Sequence, residues 1–137
     1  MKLTTRGRYG LSAMYELATN ENAPLSVSSI SKIQDISETY LEQLFSALKK
    51  AQLVGSVRGA QGGYILTRHP EEITIGDILR ALETTTTITE CMSHERCGSS
   101  CTCISLPVFT RLQDSIDAAL DSMTLQDMIE EQQGATL

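Results

Sequence analysis

The stretch Ser37-Glu38-Thr39-Tyr40-Leu41-Glu42-Gln43-Leu44-Phe45-Ser46-Ala47-Leu48-Lys49-Lys50 is followed, after Ala51-Gln52, by Leu53-Val54-Gly55-Ser56-Val57-Arg58-Gly59-Ala60-Gln61-Gly62-Gly63-Tyr64-Ile65-Leu66-Thr67. In the first part Leu41, Leu44, Phe45 and Leu48 recur at helical period behind a serine suited to cap the helix. The opposite face carries Glu38, Thr39, Glu42, Gln43, Ser46, Lys49 and Lys50, all hydrogen-bonding groups. The second part is two short β-prone runs around Arg58-Gly59-Ala60-Gln61-Gly62, a hairpin tip whose glycines tolerate positive φ. A helix with a polar face, followed at once by a hairpin, sets the frame for the rest of the chain.

Upstream, Thr5 is suited to cap a first helix over residues 6–19, with Leu11, Met14, Tyr15 and Ala18 on one stripe and Leu17 beside it. Asn20-Glu21-Asn22-Ala23-Pro24 breaks it. Ser26 caps a short second helix that turns Val27, Ile30 and Ile33 inward, and Gln34-Asp35-Ile36 forms the turn into the helix after Ser37. Ile36, just before that cap, can staple onto Leu41. Three helices in this order with a trailing hairpin read as a winged helix-turn-helix: a mainly α fold with a small β-wing, over residues 1–70. On that reading the third helix enters the major groove, and Arg58 on the wing suits a phosphate or the narrow minor groove of A·T-rich DNA.

Downstream, residues 71–137 begin with an amphipathic helix over 74–82 that buries Ile75, Ile78, Leu79 and Leu82. Thr84 to Thr89 reads as an extended lead into a cysteine-bearing segment. Pro107 opens a long helix with Val108, Leu112, Ile116, Ala119, Leu120 and Met123 on one stripe. Such a stripe needs a covering surface, either a second copy of itself, making this a dimerisation helix in a homodimer, or its own head. Thr124-Leu125-Gln126-Asp127 resembles a capping box for a last helix, with fraying expected beyond Gln132.

Charge divides along the same boundary. The net charge is −6, yet residues 1–70 carry eight Lys or Arg against five Asp or Glu, and residues 71–137 carry three against twelve. A mildly basic head with an acidic remainder suits double-stranded DNA as the partner. The absence of a long apolar run or an apolar leader implies no membrane partner and a cytoplasmic location.

All four cysteines, Cys91, Cys97, Cys101 and Cys103, fall within thirteen residues at C-x5-C-x3-C-x-C spacing, with His94 among them. In a reducing compartment such a cluster reads as cluster ligands, a zinc site or a thiol switch. A redox enzyme using Cys101 and Cys103 lacks any supporting nucleotide or thioredoxin-like motif, so no enzyme is expected.

With these pieces in place, the chain resembles the IscR-type family of bacterial winged-helix iron–sulfur transcription regulators, which includes nitric-oxide sensors and cysteine-metabolism repressors. The resemblance rests on residues 1–9 (MKLTTRGRY), residues 37–45 (SETYLEQLF), residues 53–64 (LVGSVRGAQGGY) and residues 124–127 (TLQD). It implies a homodimeric regulator on operator DNA, with Ser37, Thr39, Tyr40, Glu42 and Gln43 on the helix and Arg58 on the wing at the DNA. It also implies iron–sulfur ligation by Cys91, Cys97 and Cys103, which match the family's C-x5-C-x5-C pattern, with a 2Fe–2S cluster favoured over 4Fe–4S. The regulated genes would serve iron–sulfur cluster or iron homeostasis, with the cluster acting as a redox sensor. The family's histidine three residues after the last cysteine is Leu106 here, which leaves the fourth ligand among the extra Cys101, His94, a distant residue or a small molecule, with Cys101 favoured and His94 as runner-up. An acidic ligand that some members take from the first helix is replaced by Arg8. The alternative is a winged-helix regulator whose cysteines form a zinc or thiol-switch site, without a cluster.

Overall fold

The computed structural model describes residues 3–20, 23–88 and 104–135. In chain order they form α1 (Thr5–Thr19), α2 (Val27–Gln34), α3 (Glu38–Lys50), β1 (Val54–Val57), β2 (Gly63–Leu66), a 3-10 turn (Pro70–Glu72), α4 (Ile75–Leu82), α5 (Leu106–Ser122) and α6 (Leu125–Ala135). The strands pair antiparallel, Val54 opposite Leu66 and Val57 opposite Gly63. The fold is therefore mainly helical with a two-stranded wing.

The helix-turn-helix forms where its caps place it. Ser26 accepts from the Ser29 amide and Ser37 from the Tyr40 amide, each satisfying an orphan N–H of a first turn. Between them Asp35 takes the left-handed conformation that ends α2. Leu41, Leu44, Phe45 and Leu48 are all buried on α3, and Ile36 joins the same cluster. Met14, Ile30, Leu53, Ile73, Ile78, Leu82 and Leu125 are among the other members of this core, which therefore draws on both halves of the chain. Phe45 stacks on Tyr64 with ring centroids 4.5 Å apart, anchoring the wing to α3. At the wing tip Gly59 adopts φ 115°, the positive φ its place required.

Three expectations shift. Helix α1 is capped by Thr4 rather than Thr5, and its buried face is Gly7, Gly10, Ala13, Met14 and Leu17, with Leu11, Tyr15 and Ala18 only half-buried. The cause is the close approach of α4: a Cβ on Gly10 would strike the Leu82 side chain. A stripe drawn from apolar side chains passes over such a contact because the contacting residue has none. Ile33 is 58% exposed, since α2 ends at Gln34 and the described chain turns away without covering it. The α5 stripe is divided. Leu120 is buried and Ile116 packs with it against Ile75 and Leu79, whereas Val108, Leu112, Ala119 and Met123 stay exposed.

Helices α4 and α6 begin at one point. Thr74 and Asp77 form a capping box, and Thr124 and Asp127 repeat it, each threonine hydroxyl accepting from the aspartate amide while the carboxylate accepts from the threonine amide. The two caps are joined by a β-bridge between Thr74 and Thr124. There the Ile75 amide donates to the Met123 carbonyl and the Leu125 amide to the Ile73 carbonyl, both at 2.8 Å. Helix α6 runs to Ala135, three residues past the point where fraying was expected.

Candidate nucleic-acid interface and the cysteine segment

Ser37, Thr39, Glu42, Gln43 and Arg58 are exposed and Tyr40 is half-buried. The buried stripe of α3 turns Glu38, Thr39, Glu42 and Gln43, the first four side chains of this helix's polar face, outward on its first two turns. Ser37 spends its oxygen on the Tyr40 amide, which leaves its hydroxyl proton free to donate. Among the described residues, the side chains of Thr39, Glu42, Gln43 and Arg58 have no hydrogen-bond or ion-pair partner within the protein. Polar groups so placed are available to base edges and phosphates. Lys49, expected only as part of this polar face, donates from Nζ to Ser56 Oγ at 2.9 Å and so ties the end of α3 to the wing.

Tyr40 has a second set of neighbours that sequence patterns did not indicate. Its hydroxyl lies 3.3 Å from Thr5 Oγ1, and its ring meets Tyr9 edge-on at 5.9 Å. Arg8 is exposed, with its guanidinium 5.7 Å from the Tyr9 ring centre. The first turn of α1 thus adjoins the first turn of α3. Behind it sits Glu83, 9% exposed at the end of α4, accepting from the Thr4 amide at 2.8 Å and the Gly7 amide at 3.2 Å. A carboxylate at a helix N-terminus is favoured by the unpaired amides there. The only sequence signal for it was an acidic residue directly after an amphipathic helix.

Cys91, His94, Cys97, Cys101 and Cys103 lie outside the described residues. Among the described residues no group of three or more His, Cys, Asp or Glu side chains could hold a metal ion. The residues leading into the segment are held by α5. Gln113, only 7% exposed, accepts from the Ile88 amide at 2.8 Å and donates to the Thr86 carbonyl at 3.2 Å and to Asp117 at 3.0 Å. A buried glutamine with both ends of its amide paired fixes a backbone more firmly than an apolar contact would. Within a helix read by its apolar stripe, Gln113 gave no sign of this use. Helix α5 is in turn bound to α4 by Arg80, which meets Asp121 at 2.6 Å and 3.3 Å, with Asp117 at 3.7 Å. The Arg80 hydrogen bond draws the Asp121 carboxyl below its ordinary range, and the same bond raises Arg80.

A capped helix-turn-helix, an outward polar helix face and a wing arginine define a winged-helix DNA-binding protein. The family model described as Rrf2, iron-dependent transcriptional regulator, matches residues 3–131, and the chain belongs to that family. It is 43% identical to the HTH-type transcriptional regulator CymR of Bacillus subtilis (strain 168), over 93% of this chain and 89% of that protein. It is 39% identical to the HTH-type transcriptional regulator IscR of Aliivibrio salmonicida (strain LFI1238), over 94% of this chain and 77% of that protein. The solved structure of T. potens IscR superposes with a TM-score of 0.80 at 42% identity, covering 100% of this chain and 92% of that one. The chain is therefore a DNA-binding transcription regulator and not an enzyme. Among its described residues no helix is long and apolar enough to cross a membrane.

Proposed function

We propose that this regulator binds operator DNA as a homodimer and that an iron–sulfur cluster held by the cysteine segment controls its occupancy. The observation that carries this reading is the anchoring of that segment's described flanks. Thr86 and Ile88 on one side are held by Gln113 of α5, and α5 itself begins at Leu106 on the other. A change of state among the four thiols is thereby applied to α5, the helix whose Val108 and Leu112 remain 58% and 50% exposed in the single chain. Burial of that row against a second copy would set the spacing of two α3 helices, which is what a two-fold operator reads. An apolar cleft of about 530 Å³ bordered by Leu3, Leu11, Leu79 and Met128 adds to the uncovered surface.

The donor set suits the group. Cys91, Cys97 and Cys103 would supply three thiolates and Cys101 the fourth ligand, with His94 as runner-up, and 2Fe–2S is favoured over 4Fe–4S. Bound there, the cluster would supply a charge and a stability sensitive to oxidant and iron supply, suited to control of iron–sulfur cluster or iron homeostasis genes. On the DNA side Ser37, Thr39 and Tyr40 would position the helix on phosphates. Glu42 and Gln43 would face base edges, Glu42 accepting from a cytosine amino group, and Arg58 would enter the minor groove.

The identity with CymR supports a second reading, in which the same thiols form a zinc or thiol-switch site with no cluster. Anaerobic purification followed by visible absorption and iron, sulfide and zinc analysis separates the two. Stoichiometric iron and sulfide with operator affinity that changes on cluster removal supports the first. Zinc, or neither metal, in protein whose affinity follows thiol oxidation supports the second.

A further inference from the structure

We propose that Glu83 is a positioning residue for operator recognition, holding the first turn of α1 so that Thr5 fixes Tyr40 at the edge of the DNA-facing surface. The inference rests on the reading of Tyr40 as part of that surface. Oε1 of Glu83 accepts from the Thr4 and Gly7 amides, and Thr4 Oγ1 lies 2.9 Å from Oε2. Arg6 Nε reinforces the joint by donating to the Leu82 carbonyl at 2.9 Å. Amides that open a helix have no partner inside it; Thr4 Oγ1 takes the Arg6 amide, and the buried carboxylate takes those of Thr4 and Gly7, so Glu83 holds the larger share of this turn. The absence of a side chain on Gly7 makes the arrangement possible, because a Cβ there would fall on Glu83 Oε1.

Thr5 stands within the turn that Glu83 holds, and its hydroxyl is the described hydrogen-bond partner of the Tyr40 hydroxyl. Tyr40 is therefore set from behind by α1, and α1 by the last residue before the Thr84–Ile88 lead. The contact joins the recognition surface to the point where the chain leaves for the cysteines.

The test is a double-mutant cycle on the full-length, metal-free protein, titrated with an operator duplex that wild type has selected from random sequence. Glu83→Ala should weaken specific binding about tenfold, an effect the size of one charge-assisted hydrogen bond. Glu83→Gln should stay within about threefold, because its carbonyl still accepts from both amides and its amide can donate to Thr4 Oγ1. In a Tyr40→Phe background Glu83→Ala should add almost nothing, since the hydroxyl it positions is gone. A purely structural role predicts instead that the two losses multiply in full, and that result overturns the proposal while leaving Tyr40 at the DNA. If Tyr40→Phe binds like wild type, both the proposal and the placement of Tyr40 fall. Should Glu83→Ala not fold, Thr5→Val cuts the same link at its exposed end and must show the same non-additivity with Tyr40→Phe, or the proposal is wrong.

Discussion

Helices α3 and α5 carry apolar stripes of similar strength, and the single chain treats them in opposite ways. On α3 Leu41, Leu44, Phe45 and Leu48 are all buried, and the remaining face is polar. On α5, four residues longer, only Gln113 and Leu120 are buried, while Val108 and Leu112 stand in solvent. An amphipathic pattern states that a face will be covered and says nothing of what covers it. The first stripe is satisfied within the fold; the second is half satisfied by α4 and half left over.

Paired truncations give the widest separation. Leu44→Ala should lower unfolding stability by about 2–5 kcal/mol, as a cavity in a closed core does. Leu112→Ala should leave the isolated chain's stability nearly unchanged, as read by denaturant titration at a concentration where the protein is dissociated. Equal losses would erase the distinction between the helices. Leu112→Asp sharpens it further. A charge buried in an interface costs on the order of several kcal/mol, so this variant should sediment as a folded monomer with its operator affinity lost. A monodisperse wild-type monomer would remove the partner assigned to α5.

Much of this difference was legible in the residues themselves. The α3 stripe, the Ser26 and Ser37 caps, the hairpin and the capping box at Thr124 depend on local chemistry, in which a side chain acts on a backbone three or four residues away. The departures in α1, α2 and α5 depend on neighbours far along the chain. Gly7 and Gly10 turn inward because α4 arrives there, and Ile33 is left out because nothing arrives. At the candidate site, the outward placement of Thr39, Glu42 and Gln43 followed from helical periodicity and that of Arg58 from its hairpin tip. Glu83 and Gln113 did not, because their partners are backbone amides and carbonyls that every residue owns and no sequence pattern marks.

Smaller effects probe polar groups on α3, on the wing and where α5 meets α4. Gln43→Ala should relax preference at particular base pairs by about 1–3 kcal/mol if its amide meets a base edge. Arg58→Ala should weaken binding to all sequences and reduce the salt dependence by about one phosphate. A salt-titrated shift assay in which both variants match wild type would detach this face from DNA. The smallest effect belongs to the exposed Arg80–Asp121 pair between α4 and α5. Because folding lowers the Asp121 carboxyl, its contribution is present above the unfolded value and fades as pH falls through the folded one. Asp121→Asn should lower stability slightly near neutrality and converge with wild type below about pH 4, as read by denaturant titration across pH. A loss at neutral pH equal to that in acid would mean that the pair acts through hydrogen bonding alone.

The bridge between Thr74 and Thr124 gives the molecule a modular seam. The described chain passes Thr74 and Thr124 at one pinned point, with a capped helix starting on either side, while α4 stays packed in the head core through Ile78 and Leu82. A chain closed at such a point can change loop length at little cost to what lies below, since doubling a flexible loop adds only about 0.6 kcal/mol of closure entropy. Residues inserted between Ile88 and Leu106 would therefore spare the DNA-reading head, and one such head can carry sensing segments of different lengths and different chemistry without being refolded for each.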